Sequence, residues 1–448
     1  MIYKLAELLD SIRYEDLPQA TIHKTKVAIQ NYVGGSLPGK GEALTLAEKD
    51  MWDSFGSTGP CSVLGMSGSY SVIAAAAINA AMGEIYLSED MHNPTSSHPG
   101  MLVIPVAMAY GESVGASGKR VIEAIVAGYE AMGRIGAALL GPDFANNGLR
   151  PASTIAPFGG AVAAMKVLGA SADQIAKAMT IAGNTAAGVM EFVNAGTADI
   201  CMQNCFAAKS SVMAAELARR DILASPTILE GRFGLGWGLT DGVCDWDKMF
   251  APRPGGGHVI DETVVKAFPG CGYVQCSALA ITHFLENQPI DPENVENIEI
   301  GVTHASKVWP GVDNQGPFNG TISAMMSHQY MVAAAILKGR IDVDAVRDFA
   351  DPVTAELTKK IRVVEDAEID RAYPAKSGCR IRVFLKNGQV LEHFEDHVEY
   401  LDDNGVKERL ASNAAGIYPE SQIQQIIQLI ENFDELGSVN IFTKLLRP

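Results

Sequence analysis

The hydrophobic period of this chain changes near the run Arg253-Pro254-Gly255-Gly256-Gly257-His258, and that change constrains the fold more than any other feature. Before the run, apolar residues recur at three and four. Leu5, Leu8, Leu9 and Ile12 begin the pattern, and segments 19–32, 121–140, 157–168, 172–184 and 206–219 continue it, each bounded by Gly, Pro, Ser or Asp. Beyond the run, apolar residues alternate at 298–302, 361–364, 381–385 and 390–394, which predicts strands. Asn387-Gly388 between the last two is a hairpin signal. Helical spacing at 265–286, 322–338 and 353–360 separates these strands, and 421–433 returns to a helix with Ile423, Ile426, Ile427 and Ile430 on one face. The expected fold is α and α+β in two domains. A large, discontinuous all-helical domain (1–258 plus 399–448) would carry a smaller inserted α+β domain (259–398). Gly255-Gly256-Gly257 lacks the lysine and Ser/Thr of a phosphate loop and reads as a linker.

The 448 residues suffice for two such cores, and 44 glycines with Ala-rich runs favour closely approaching helices. A formal charge of −17 argues against a nucleic-acid or acidic-membrane partner. A small anionic substrate would then need cations placed locally to overcome the global field. The apolar runs are too interrupted for a transmembrane helix, and the acidic, amphipathic start does not resemble a signal peptide, so a cytoplasmic protein is expected. Seven cysteines without small-scaffold spacing fit reduced thiols. Cys201, Cys205, Cys271 and Cys276 lack the usual spacing of a metal knuckle.

The polar stretch Glu89-Asp90-Met91-His92-Asn93-Pro94-Thr95-Ser96-Ser97-His98-Pro99-Gly100 joins two apolar runs. Pro99 suits a first helical position, which puts His98 at a helix edge where free N–H groups accept an anion. The same residues also suit a plain polar loop between core helices. Arg150, before Pro151, has the planar fork that grips a carboxylate, or is a solvated loop arginine. Asp199 begins a helical segment and reads as its N-cap. Lys266, beside Phe268 and Pro269, is a desolvated base or a surface lysine with its stem on apolar neighbours. Tyr330, inside a Met/Ala helix, is an anchor or a core tyrosine with one structural partner.

Together Asp90-x-His92…His98-Pro99-Gly100, Arg150-Pro151-Ala152-Ser153-Thr154, Lys266-Ala267-Phe268-Pro269-Gly270-Cys271 and Tyr330 resemble, in order and spacing, the MmgE/PrpD family. The resemblance spans essentially the whole chain and implies a site between the two domains, a homodimer, and no metal or organic cofactor. It carries Asp90, Thr95, His98, Lys266 and Tyr330 across as site residues. Three positions depart from the family's dehydratase-like and decarboxylase-like members. Arg150 stands for a histidine, Asp199-Ile200 for a Thr-Lys pair, and Gln275 for a histidine. Losing proton-shuttling groups while gaining a fixed cation suits epimerisation beside a carboxylate better than water loss. The chain most resembles the iminodisuccinate epimerase branch. On that reading Lys266 and His98 are the base and acid pair, Asp90 orients an imidazole and Tyr330 anchors or donates. Arg150, Thr95, His92, Gln275 and Asp199 would contact a small anionic polycarboxylate. The alternatives are a lyase acting on a citrate-like tricarboxylate, and a binding protein on a decayed enzyme scaffold.

Overall fold

The computed structural model describes residues 1–141, 144–145 and 147–448. The helical domain packs α1 (Gln19–Ser36), α2 (Val72–Gly83), α3 (Gly100–Val114), α4 (Gly118–Leu139), α5 (Pro151–Val167) and α6 (Asp199–Ala218) around one core. Ser71 opens α2 by accepting a bond from the Ala74 N–H at 3.4 Å, and every residue from Ala74 to Gly83 is buried. Small residues let the helices cross closely. A Cβ on Gly159 would lie 2.9 Å from the Gly128 carbonyl, and one on Gly128 the same distance from that of Gly159, so α4 and α5 meet backbone to backbone. No described helix is long and apolar enough to cross a membrane.

The α+β domain holds a sheet of β1 (Val295–Val302), β2 (Ile361–Glu365), β3 (Cys379–Leu385) and β4 (Val390–Glu395), ordered β2-β1-β3-β4. β1 runs parallel to β2, with Ile298 opposite Ile361, and antiparallel to β3. β3 and β4 form the hairpin expected at Asn387-Gly388, where Gly388 takes φ +84°. α7 (Gln275–Asn287) packs on β3 and β4. After the sheet the chain returns to the helical domain through α8 (Asp403–Ala414), on α1, and α9 (Glu420–Glu431).

Helical expectations shift at four places, one of them segment 206–219, which starts at Asp199. Helix 265–286 starts only at Gln275, because Val264–Val265 is extended and Pro269-Gly270, with Gly270 at φ +157°, breaks the path. Helix 157–168 starts earlier, with Pro151 at the first helical position where a missing N–H is tolerated. Segment 322–338 is two helices, Thr321–Met326 and His328–Lys338, separated by Ser327, whose hydroxyl accepts from the Tyr330 N–H at 3.0 Å.

The domains share a seam. The core under the sheet takes in Ile85, Tyr86 and Leu87 and also Met190, Ile200 and Cys201, all from the helical part. A two-stranded antiparallel ribbon pairs Asp90-Met91 with Val264-Val265. This ribbon brings the His98 stretch beside Lys266.

Candidate active site

Glu89, just ahead of the ribbon, and Asp90, its first residue, send their side chains to different partners. Asp90 turns to the start of α3. Its Oδ1 accepts from the Gly100 N–H at 2.9 Å and its Oδ2 from the Tyr129 hydroxyl at 2.7 Å. Burial pushes its carboxyl up to about 6, against those two bonds. The helix edge expected to receive a substrate anion is therefore already capped by an internal carboxylate. Asp90 meets His98 through its main-chain carbonyl, which accepts from Nδ1 at 3.1 Å, and not through the side chain expected to orient an imidazole.

That bond fixes the tautomer, because a carbonyl can only accept. Nδ1 carries the hydrogen and the Nε2 lone pair makes no bond among the described residues. Burial, then Lys266 and Arg150, hold the imidazolium form well below its usual range, so His98 is a neutral imidazole at physiological pH.

Glu89 is fully buried. Its Oε1 ion-pairs with Lys266 Nζ and lies 3.3 Å from His98 Nδ1, while its Oε2 has no hydrogen-bond partner among the described residues. Lys266, 1% exposed, also donates to the Leu87 carbonyl at 3.3 Å. The sequence suggested a desolvated base; the structure supplies a buried counter-ion.

Arg150, also buried, donates to Ser153 Oγ at 3.0 Å, the Ile200 carbonyl at 3.2 Å and Asn204 Oδ1 at 3.0 Å, and ion-pairs with Glu84. In this state it grips an internal carboxylate rather than standing open. Asn204 holds the other Glu84 oxygen. Burial raises the Glu84 carboxyl to about 7, with Arg150 pulling down and Glu89 pushing up. Glu84, Glu89 and His98 bring their ligand atoms within 4.8 Å of one another, a set able to hold a divalent ion. Here Arg150 and Lys266 supply the positive charge.

A third cation completes the frame. Arg409, on the returning α8, donates to the carbonyls of Ser88 at 2.9 Å and Ala267 at 3.0 Å and also to that of Lys266, tying both halves of the ribbon together. Burial lowers its pKa to about 10.

Arg150, His98 and Lys266 thus surround two buried glutamates, and the remaining expected site residues do not point their polar atoms into that cluster. His92 Nδ1 meets Thr95 Oγ1 at 2.7 Å, and its Nε2 lies 3.7 Å from Glu262, a separate buried network. Gln275 is spent on backbone, accepting from the Phe268 N–H at 3.1 Å and donating to the Phe268 and Cys271 carbonyls, which pins the loop after Lys266. Asp199 opens α6 but makes no cap bond; it accepts from the Thr197 hydroxyl at 3.0 Å. The Tyr330 hydroxyl donates to the Ala345 carbonyl at 2.7 Å and its ring packs on Phe318, a core role in the α+β domain. The four thiols do not gather among the described residues: Cys205, for one, donates to Glu48 at 2.9 Å.

Sequence reasoning missed Glu84, Tyr129, Asn204 and Arg409 and passed over Glu89. The only available signal was charge within apolar surroundings, as for Glu84 after the Ala-rich run.

The two raised carboxyls make stability depend on pH. A carboxyl whose folded pKa lies above its unfolded value stabilises fully below the unfolded value, and that contribution is lost as pH rises through the folded one. For Asp90 and Glu84 the window runs from about 4 to about 7. Urea unfolding from pH 5 to pH 8 is expected to show a falling contribution that Glu84→Gln reduces. An unchanged slope in that variant would contradict the raised Glu84.

Residues 3–245 match the MmgE/PrpD N-terminal domain and residues 268–435 the MmgE/PrpD C-terminal domain, the second match running past the sheet into α8 and α9. A cis-aconitate decarboxylase of Aspergillus terreus is 24% identical over 96% of this chain and 93% of its own length. The mitochondrial 2-methylcitrate dehydratase of Yarrowia lipolytica is 26% identical over 53% of this chain and 49% of its own. A cis-aconitate decarboxylase-like protein of Aspergillus oryzae is 22% identical over 99% of this chain and 96% of its own. With matched domains covering the helical half and the α+β half alike, the chain belongs to the MmgE/PrpD family.

Proposed function

We propose that this family enzyme is a cofactor-independent epimerase of an amino-polycarboxylate of the iminodisuccinate kind. His98 Nε2 removes the hydrogen beside a carboxylate, and the Lys266 ammonium returns one to the other face. Between turnovers His98 Nε2 releases its proton to solvent and Lys266 regains one from it, while Glu89 Oε1, 3.3 Å from His98 Nδ1 and ion-paired with Lys266 Nζ, holds both groups in place. The observation that carries the reading is the unpartnered, buried Glu89 Oε2. A buried carboxylate oxygen calls for a donor, and a secondary ammonium flanked by carboxylates supplies one. Glu84 and Glu89 already neutralise Arg150 and Lys266, which favours a substrate carrying its own positive charge over a purely anionic one. The test is turnover of each iminodisuccinate diastereomer in heavy water, followed by NMR. Deuterium at the inverted carbon supports the reading, and inertness toward both diastereomers contradicts it.

A second reading is a lyase on a tricarboxylate, as the names of the relatives suggest. Glu84, with its carboxyl raised to about 7, favours it, since a protonated carboxyl can assist a departing hydroxyl. A new ultraviolet absorbance from an alkene conjugated to a carboxylate on incubation with 2-methylcitrate, or release of carbon dioxide from cis-aconitate, would select it.

The working unit in this reading is a homodimer. Phe206, Met213 and Leu217 are exposed and follow at seven and four on α6, so they share one face, and Phe233 beyond it is 88% exposed. Light scattering after size exclusion is expected to give the dimer mass, and Met213→Asp to shift it toward the monomer. A monomeric wild type would refute the pairing.

A further inference from the structure

We propose that His283, His393 and Glu395 form a binding site for a divalent first-row transition ion, with zinc the expected occupant. His283 lies on α7, and His393 and Glu395 lie on the edge strand β4. Glu395 Oε2 lies 2.7 Å from His283 Nδ1 and 3.5 Å from His393 Nε2, and all three ligand atoms fall within 4.8 Å of one another. Around a tetrahedral zinc with bonds of about 2.1 Å, neighbouring ligand atoms stand roughly 3.4 Å apart. The His393–Glu395 pair already has that spacing, the His283–Glu395 pair needs to open by several tenths of an ångström, and the two imidazole nitrogens lie within 4.8 Å of each other.

Two imidazoles and one carboxylate select zinc, copper or nickel over calcium or magnesium, which prefer oxygen. The His393 ring is stacked on buried Phe284, with centroids 5.9 Å apart and planes at 22°, so its orientation is set before any ion arrives. The three side chains are 15 to 32% exposed, sheltered yet open to an entering ion and a water ligand.

The site is distinct from the His98 cluster but shares α7 with it. Gln275, in the first turn of α7, pins the loop after Lys266. His283, two turns on, would be tied to the sheet edge by the ion. An edge strand has one unpaired backbone side, and a metal link to the helix above holds it in place.

The test uses the full, tag-free chain with zinc chloride in a non-chelating buffer, by calorimetry and elemental analysis. Cobalt substitution gives a visible spectrum that reports coordination. Expected are one zinc per chain, a higher melting temperature with zinc, and a cobalt spectrum of low coordination number. His283→Ala and His393→Ala are expected to lose all three, and Glu395→Gln, which keeps hydrogen bonds to both imidazoles and so protects the fold, to lose them as well. The proposal is overturned if no stoichiometric zinc binds, or if zinc binds equally to the His283→Ala/His393→Ala double variant. It is also overturned if only His397→Ala abolishes binding, which would move the ion to Glu395, Asp396 and His397.

Discussion

Replacing His98 with Gln is expected to lower deuterium exchange and turnover by about 10²–10⁴-fold, the usual worth of a positioned general base. Gln can still donate to the Asp90 carbonyl, so the loop keeps its local bond while the Nε2 lone pair disappears. KM should change far less than kcat, because His98 is assigned to proton removal and not to holding the substrate. The pH profile adds a check. Burial and the neighbouring Lys266 and Arg150 disfavour the imidazolium, so the wild-type rate should hold as pH falls and drop only below the ordinary imidazole range. Loss of rate at the pH where an exposed histidine protonates, or full exchange in His98→Gln, would remove His98 from the base role.

The two-domain layout was legible because it rests on period alone. Alternation at 298–302, 361–364, 381–385 and 390–394 marks all four strands of the sheet, and Asn387-Gly388 marks the hairpin. The ribbon that assembles the site left no such trace. It has two residues a side, Asp90-Met91 and Val264-Val265, from distant parts of the chain. Without it, Asp90 reads as the functional acid, whereas Glu89 is the acid that meets Lys266. Helix α8 was not read from the sequence either; the Asp402 side chain caps its start by accepting from the Gly405 N–H at 2.8 Å. With α8 went Arg409. Arg150 and Lys266 were legible as cations but not as ion pairs, because their buried partners lie far away in sequence.

Those ion pairs allow structure and chemistry to be separated at Lys266. Lys266→Met removes the counter-ion of a fully buried Glu89 whose second oxygen already lacks a partner, and should cost about 3–5 kcal/mol of stability. Loss of turnover in that variant alone would be ambiguous. Adding Glu89→Gln removes the stranded charge, so the Lys266→Met/Glu89→Gln chain should recover most of its resistance to urea, since a buried pair replaced by neutral groups of similar shape is often tolerated. Inversion should stay lost, together with exchange from the diastereomer whose hydrogen faces Lys266, because no amine remains on that face, while exchange on the His98 face persists. If the single variant unfolds at the wild-type urea concentration, Glu89 is not the buried partner described. If the double variant recovers turnover together with stability, Lys266 only neutralises Glu89, and the returning proton comes from Glu84 or solvent.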